Sequence, residues 1–155
     1  MDIFDKVVAG VVAAVVGAFS AFVFGYLNGR IANKRSSIIK LEEHLTDILD
    51  ELAKSTIEYW SVEQSKLDNP ILIESNIKFL FRKLEPAYRS LSYRHGKISA
   101  GKHNKIKNNI GELYDIITGD DFEGARRKSN VRKITRSCGK ISTLKLDIIS
   151  IVHVD

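Results

Sequence analysis

"VVAGVVAAVVGAFSAFVFGYLNGR", residues 7–30, decides how the rest of the chain is read. From Val7 to Leu27 no residue carries a charge, a run of 21. As a helix rising about 1.5 Å per residue, the run covers about 31 Å, close to the hydrocarbon thickness of a bilayer. A cleaved secretory signal has a positively charged start and an apolar region of roughly 7–15 residues. Here Asp2 and Asp5 precede the run, and the run is longer than that. A core helix of a small domain is seldom apolar on every face. The expectation is a retained transmembrane helix.

Arg30, Lys34, Arg35 and Lys40 follow the run, with no acid before Glu42. Lys and Arg resist translocation, so this flank is expected to be cytoplasmic and the short N-terminal tail outside. Within the run, Ala13, Gly17, Ala21, Gly25 and Gly29 recur every four residues, with Gly10, Ala14 and Ala18 in a second ladder beside them. Small side chains let helix backbones approach closely in lipid. Gly10, Ala13, Gly17, Ala21, Gly25 and Gly29 are therefore the expected packing face of a homo-oligomer. No ionisable residue interrupts the run, which excludes an ion relay or voltage sensor within it.

The remaining residues suffice for one small domain, giving an expected division into 1–29, tail and span, and 30–155, a cytosolic helical domain. Arg30 to Gln64 contains neither Pro nor Gly, and Ile38, Leu41, Leu45, Ile48 and Leu52 recur at helical spacing, with Ile39, Leu49 and Ile57 widening the stripe. Asn69 and Pro70 are expected to start a second helix. Its apolar set is Ile73, Ile77, Leu80, Phe81, Leu84, Tyr88 and Leu91; Pro86 is expected to kink or break it, and His95-Gly96 to end it. A third helix is expected from about 102 to 118, with Ile106, Ile110, Leu113, Tyr114 and Ile117 inward and Gly119 as a left-handed cap. Asp120 and Glu123 have the spacing of a capping box for a last helix. That helix carries Val131, Ile134, Cys138, Ile141, Leu144, Ile148 and Ile151, and its β-branched end admits a terminal strand as the alternative. The fold class expected is all-α: a single transmembrane helix followed by a bundle of about four helices.

There are 24 Lys and Arg against 19 Asp and Glu, a net charge of +5. The charge is uneven: no acid lies between Glu123 and Asp147, where Arg126, Arg127, Lys128, Arg132, Lys133 and Arg136 cluster. Their expected role is anion or partner binding, toward anionic lipid, nucleic acid or an acidic protein. A solvated face is the bland alternative.

Chemistry-bearing motifs are scarce. Residues 96–103, "GKISAGKH", match G-x-x-x-x-G-K but have His103 where a nucleotide loop requires Ser or Thr. Residues 118–124, "TGDDFEG", have too few ligands for a calcium loop, and Phe122 reads as a local anchor. His44 and Asp47 read as a solvated edge rather than an acid–base pair. The single Cys138 forms no internal disulfide, and the four histidines lack metal-ligand spacing. No catalytic residue, cofactor or metal site is expected. The resulting reading is a non-enzymatic, single-pass protein of a bacterial inner membrane, acting by self-association and partner binding. The alternative is an oligomerising, membrane-disrupting effector, for example in anti-phage defence.

Overall fold

In the computed structural model, residues 3–96 and 98–153 are described, with side chains described from Gly17 onward. The elements are α1 (Ile3–Ser61), a 3-10 turn (Gln64–Lys66), α2 (Pro70–His95), α3 (Ala100–Thr118) and α4 (Val131–His153). The chain divides into two compact units, 1–37 and 38–155. The all-α class holds, and among the described residues there is no strand. Among the described residues no helix is long and apolar enough to cross a membrane. Residues 7–16 of the uncharged run lie outside the described side chains.

Local signals explain most boundaries. Asn69 Oδ1 accepts from the Leu72 N–H at 3.3 Å, and Pro70 occupies the first turn, where its missing N–H removes nothing. Gly96, at φ +75°, ends α2 in the left-handed conformation and donates to the Ser92 carbonyl. Ser99 caps α3 through the Lys102 N–H.

Pro86 does not break α2, which runs through it as one helix of 26 residues. The residue is exposed, and the carbonyl it leaves unbonded belongs to Arg82, itself on the exposed side. Leu84, Tyr88 and Leu91 hold both flanks in the core. Gly119 is not a left-handed cap: its φ is −73°. Glycine serves a close approach instead, since a Cβ there would meet the Asp115 carbonyl oxygen at 2.5 Å. Among the described residues, the non-glycine residues in the left-handed region are Asp120 and Glu123, at φ 58° and 65°, inside the α3–α4 connection, so they form no capping box. Asn130 caps α4, accepting the Lys133 N–H at 3.0 Å. The C-terminal residues are helical through His153, because Leu144, Ile148 and Ile151 repeat at helical spacing into the core.

Among the described residues, the buried core lies in the second unit. α1 contributes Leu45, Ile48, Leu49, Leu52, Tyr59 and Trp60; α2 contributes Ile77, Leu80, Phe81, Leu84, Tyr88 and Leu91. Ile106, Leu113 and Ile117 come from α3, and Ile141, Leu144, Ile148 and Ile151 from α4. Each such side chain stabilises the fold by about 1.5–3 kcal/mol when fully removed from water. Three expected inward residues face out: Ile57, Tyr114 and Val131 are 44%, 43% and 72% exposed. The α1 stripe drifts round the helix toward Ser55, Thr56, Tyr59 and Trp60, which leaves Ile57 on the far side. Val131 is the first residue of α4, before the helix turns its face inward.

Candidate functional site

The connection between α3 and α4 folds back onto the end of α1. The Asn130 N–H donates to the Trp60 carbonyl at 2.8 Å, and the Gln64 N–H to the Arg127 carbonyl at 3.0 Å. This places two of the six basic candidates inside the protein. Arg127 is 1% exposed. Its guanidinium carbon lies 4.1 Å from the Tyr59 ring centre and 5.1 Å from that of Trp60. Its Nε donates to Gln64 Oε1 at 3.3 Å and Nη1 to the Lys128 carbonyl at 3.4 Å, while Nη2 has no hydrogen-bond partner. Lys133 is buried with its Nζ 4.1 Å from the Trp60 ring centre, and donates to the Gly119 carbonyl. Trp60 Nε1 donates to the Ile117 carbonyl at 3.2 Å.

Two cations on adjacent aromatic rings interact with the negative ring faces, worth about 2 kcal/mol each when desolvated. The neighbouring Tyr59 hydroxyl donates to Glu74 Oε1 at 2.6 Å and accepts the Glu123 N–H at 3.0 Å. Burial, reinforced by the bond to Glu74, pushes Tyr59 up to about 12. Phe122, 5.1 Å from Tyr59 between ring centres, is the local anchor the sequence suggested. The assembly pins the α3–α4 connection to α1 and α2, and Arg127 and Lys133 are parts of it rather than surface cations.

Arg126, Lys128, Arg132 and Arg136 are exposed and carry no ion pair among the described residues. Further along α4, Lys140 pairs with Glu112, and Lys145 with Asp50 at 2.7 Å. A cleft of about 430 Å³ is lined by Arg132, Lys133 and Arg136, and also by Asp115 and Asp120, so its charge is mixed. A larger cleft of about 650 Å³ between α2 and α3 is lined by Phe81, Ile110 and Tyr114 together with Lys78, Arg82, Lys107, Glu85 and Asp115, so its charge is mixed as well.

The "GKISAGKH" segment is preceded by α2, not by the strand a nucleotide loop requires, and its residues 100–103 are already the first turn of α3. His103 Nδ1 lies 3.2 Å from the Tyr88 hydroxyl and 3.3 Å from Ser92 Oγ, and its ring stacks on Tyr88. Burial pushes Tyr88 up to about 12 as well. His153 Nε2 lies 3.0 Å from Glu42, joining α4 to α1. These contacts tie helices together: His103 with Tyr88 and Ser92 joins α3 to α2, and His153 with Glu42 joins α4 to α1.

In the first unit, Ala21 is exposed, and a Cβ added at Gly17, Gly25 or Gly29 would meet nothing within 4 Å. Gly10 and Ala13 lie outside the described side chains. Phe19, Phe22 and Phe24 are 66–71% exposed. Sequence reasoning missed the Tyr59–Trp60–Arg127 assembly. Its one available signal was the Tyr-Trp pair, with the chain's single Trp, at the end of an amphipathic helix. No family model, curated protein or solved structure matches this chain.

Proposed function

We propose that the chain is a single-pass inner-membrane protein whose helical bundle is cytoplasmic and which acts by self-association and partner binding rather than catalysis. Residues 7–27 are the span in this reading. The observation that carries it is the exposure of Phe19, Phe22 and Phe24 on a helical segment whose uncharged run has bilayer length. In water such exposed apolar surface is unfavourable by about 25 cal/mol per Å², whereas acyl chains accept it. The open row Gly17, Ala21, Gly25 and Gly29 is the surface for a second span. The exposed Arg126, Lys128, Arg132 and Arg136 form the partner-binding side of the bundle.

The chain is expected to sediment with membranes and to resist alkaline carbonate; full-length protein in the soluble fraction would end the reading. A reporter fused after Asp155 is expected to be cytoplasmic. Gly17→Ile with Gly25→Ile is expected to weaken span association in a membrane two-hybrid assay, with Val12→Ile as the control; equal signals from the two would remove the packing face. The rival, a lesion-forming effector, would use the same open row. Induced expression with a membrane-potential dye separates them, since the adaptor leaves the potential intact and the effector collapses it.

A further inference from the structure

α2 has two apolar faces, and only one is used by the bundle. The inner face, from Ile77 to Leu91, is buried. On the outer face, Leu72, Phe79, Pro86 and Tyr93 recur every seven residues, and all four are exposed. Leu72, Phe79 and Tyr93 are 64%, 51% and 88% exposed. Seven residues are nearly two full turns, so successive members point within about 20° of one another. The row extends about 32 Å. Arg82 and Lys83 are exposed beside it, with Lys83 Nζ 4.4 Å from the centre of the Phe79 ring. The acids of α2 are Glu74 and Glu85. Glu74 is buried and engaged by Tyr59, and Glu85 lies 3.1 Å from Arg89. Asp115 of α3 lines the same cleft as Arg82, but neither Arg82 nor Lys83 forms an ion pair among the described residues, so the exposed row combines apolar and aromatic side chains with two unpaired cations.

We propose that this outer face of α2 is a docking surface for an anionic bilayer. Three features select that occupant. Aromatic and aliphatic side chains interleaved with Lys and Arg suit the headgroup–acyl boundary, where ring bodies enter the apolar layer and cations stay among phosphates. The row is a ridge on a helix rather than a pocket, and a fluid bilayer conforms to a ridge. A second copy of the same face would set Arg82 and Lys83 against like charges, whereas anionic lipid complements them. The proposal rests on the membrane-anchored reading only for bringing a bilayer near the bundle. It assigns a lipid contact to α2, separate from the span and from the basic residues of α4.

The test uses the full chain with Cys138→Ser and a single new cysteine, Ser90→Cys, beside the row, carrying an environment-sensitive fluorophore. Ser142→Cys, on an exposed position of α4, is the control. Each protein is mixed with vesicles of phosphatidylcholine alone or with phosphatidylglycerol added, and flotation is measured in parallel. Expected is a blue shift at position 90 with the anionic vesicles, much smaller with the neutral ones, and none at 142. Arg82→Gln with Lys83→Gln is expected to weaken the composition-dependent signal on the order of thirty-fold, from about 1 kcal/mol per cation near the surface. Phe79→Ser with Tyr93→Ser is expected to abolish it, with the near-ultraviolet dichroism of Trp60 unchanged as the folding check.

Flotation without a shift at 90, or equal shifts at 90 and 142, overturns the proposal. So does a shift that depends on protein concentration in detergent without lipid, which assigns the face to a second copy, or one produced by an acidic polypeptide and not by vesicles. Failure of the anchored reading looks different. The chain would then not float with neutral vesicles, yet a shift at 90 on anionic vesicles would still support the α2 surface.

Discussion

Residues 17–36 and 41–60 belong to the same helix, yet their side chains have opposite fates. In the first, Phe19, Phe22 and Phe24 stay at least 66% exposed; in the second, Leu45, Leu49, Leu52, Tyr59 and Trp60 are at most 1% exposed. Both segments satisfy their backbone hydrogen bonds internally, so helix formation does not distinguish them. Pattern does. The second segment concentrates its apolar residues on one stripe and leaves Glu43, Asp47, Asp50 and Glu51 outside. The first carries no charge from Gly17 to Leu27, and its Arg30, Lys34 and Arg35 all lie beyond that stretch, so the phenylalanines have no charged face opposite them on the helix. Its apolar surface calls for a different solvent, and that is the physical content of the membrane proposal.

The largest break in this comparison comes from charging the first segment. Ala18→Asp with Phe22→Asp is expected to lower insertion by roughly 5–7 kcal/mol, taking about 2.5–3.5 kcal/mol per acid at a span centre. The protein should leave the membrane fraction while the Trp60 dichroism stays native. Retention in membranes would mean that residues 7–27 are not what holds it there.

Next is the reciprocal change. Trp60→Ala is expected to destabilise the bundle by about 3–5 kcal/mol in denaturant unfolding of the detergent-solubilised chain. Phe22→Ala, a comparable aromatic deletion in the exposed segment, is expected to change that unfolding by no more than about 0.5 kcal/mol. Similar effects from both would show that the two segments share one packing environment.

Alkaline pH probes the buried side of the comparison. Tyr59 and Tyr88 are each raised from an ordinary value of 10 to about 12 in the folded state, mainly by burial. A raised value means that the unfolded chain loses its proton first. The stabilisation is thus fully present below about pH 10 and is lost as pH rises toward 12. The loss is on the order of 2–3 kcal/mol for each residue. Helicity and tyrosinate absorbance should change together in that window. Ionisation with no change in unfolding free energy would place these hydroxyls in water.

The smallest expected effect separates neighbours in the basic stretch. Arg127→Ala is expected to cost about 2 kcal/mol through its lost contacts with Tyr59 and Trp60. Arg126→Ala, one residue away and exposed, should stay within about 0.5 kcal/mol. Anion binding should follow the opposite order, with Arg126 the more important of the two.

The helices and most of their ends were legible from the amino-acid pattern alone, because these are local. The Asn69-Pro70 start and the Gly96 stop of α2 depend on side-chain capping and backbone freedom within a few residues. The core stripes on α1, α2 and α4 were legible for the same reason, since burial on a helix imposes its own period. Whether Pro86 breaks α2 could not be read locally, because packing of Leu84, Tyr88 and Leu91 on either side outweighs one lost hydrogen bond. Only the tertiary structure decided the fate of the basic cluster. Arg127 and Lys133 look like Arg126 and Arg132 in a list of charges, and they are drawn inside because Tyr59 and Trp60, more than sixty residues away in sequence, supply ring faces where the α3–α4 connection crosses them. The same holds for the outer row of α2. Its seven-residue spacing is written in the sequence, but that Leu72, Phe79 and Tyr93 remain uncovered is set by which helices pack on α2 and from which side, and that depends on the whole chain.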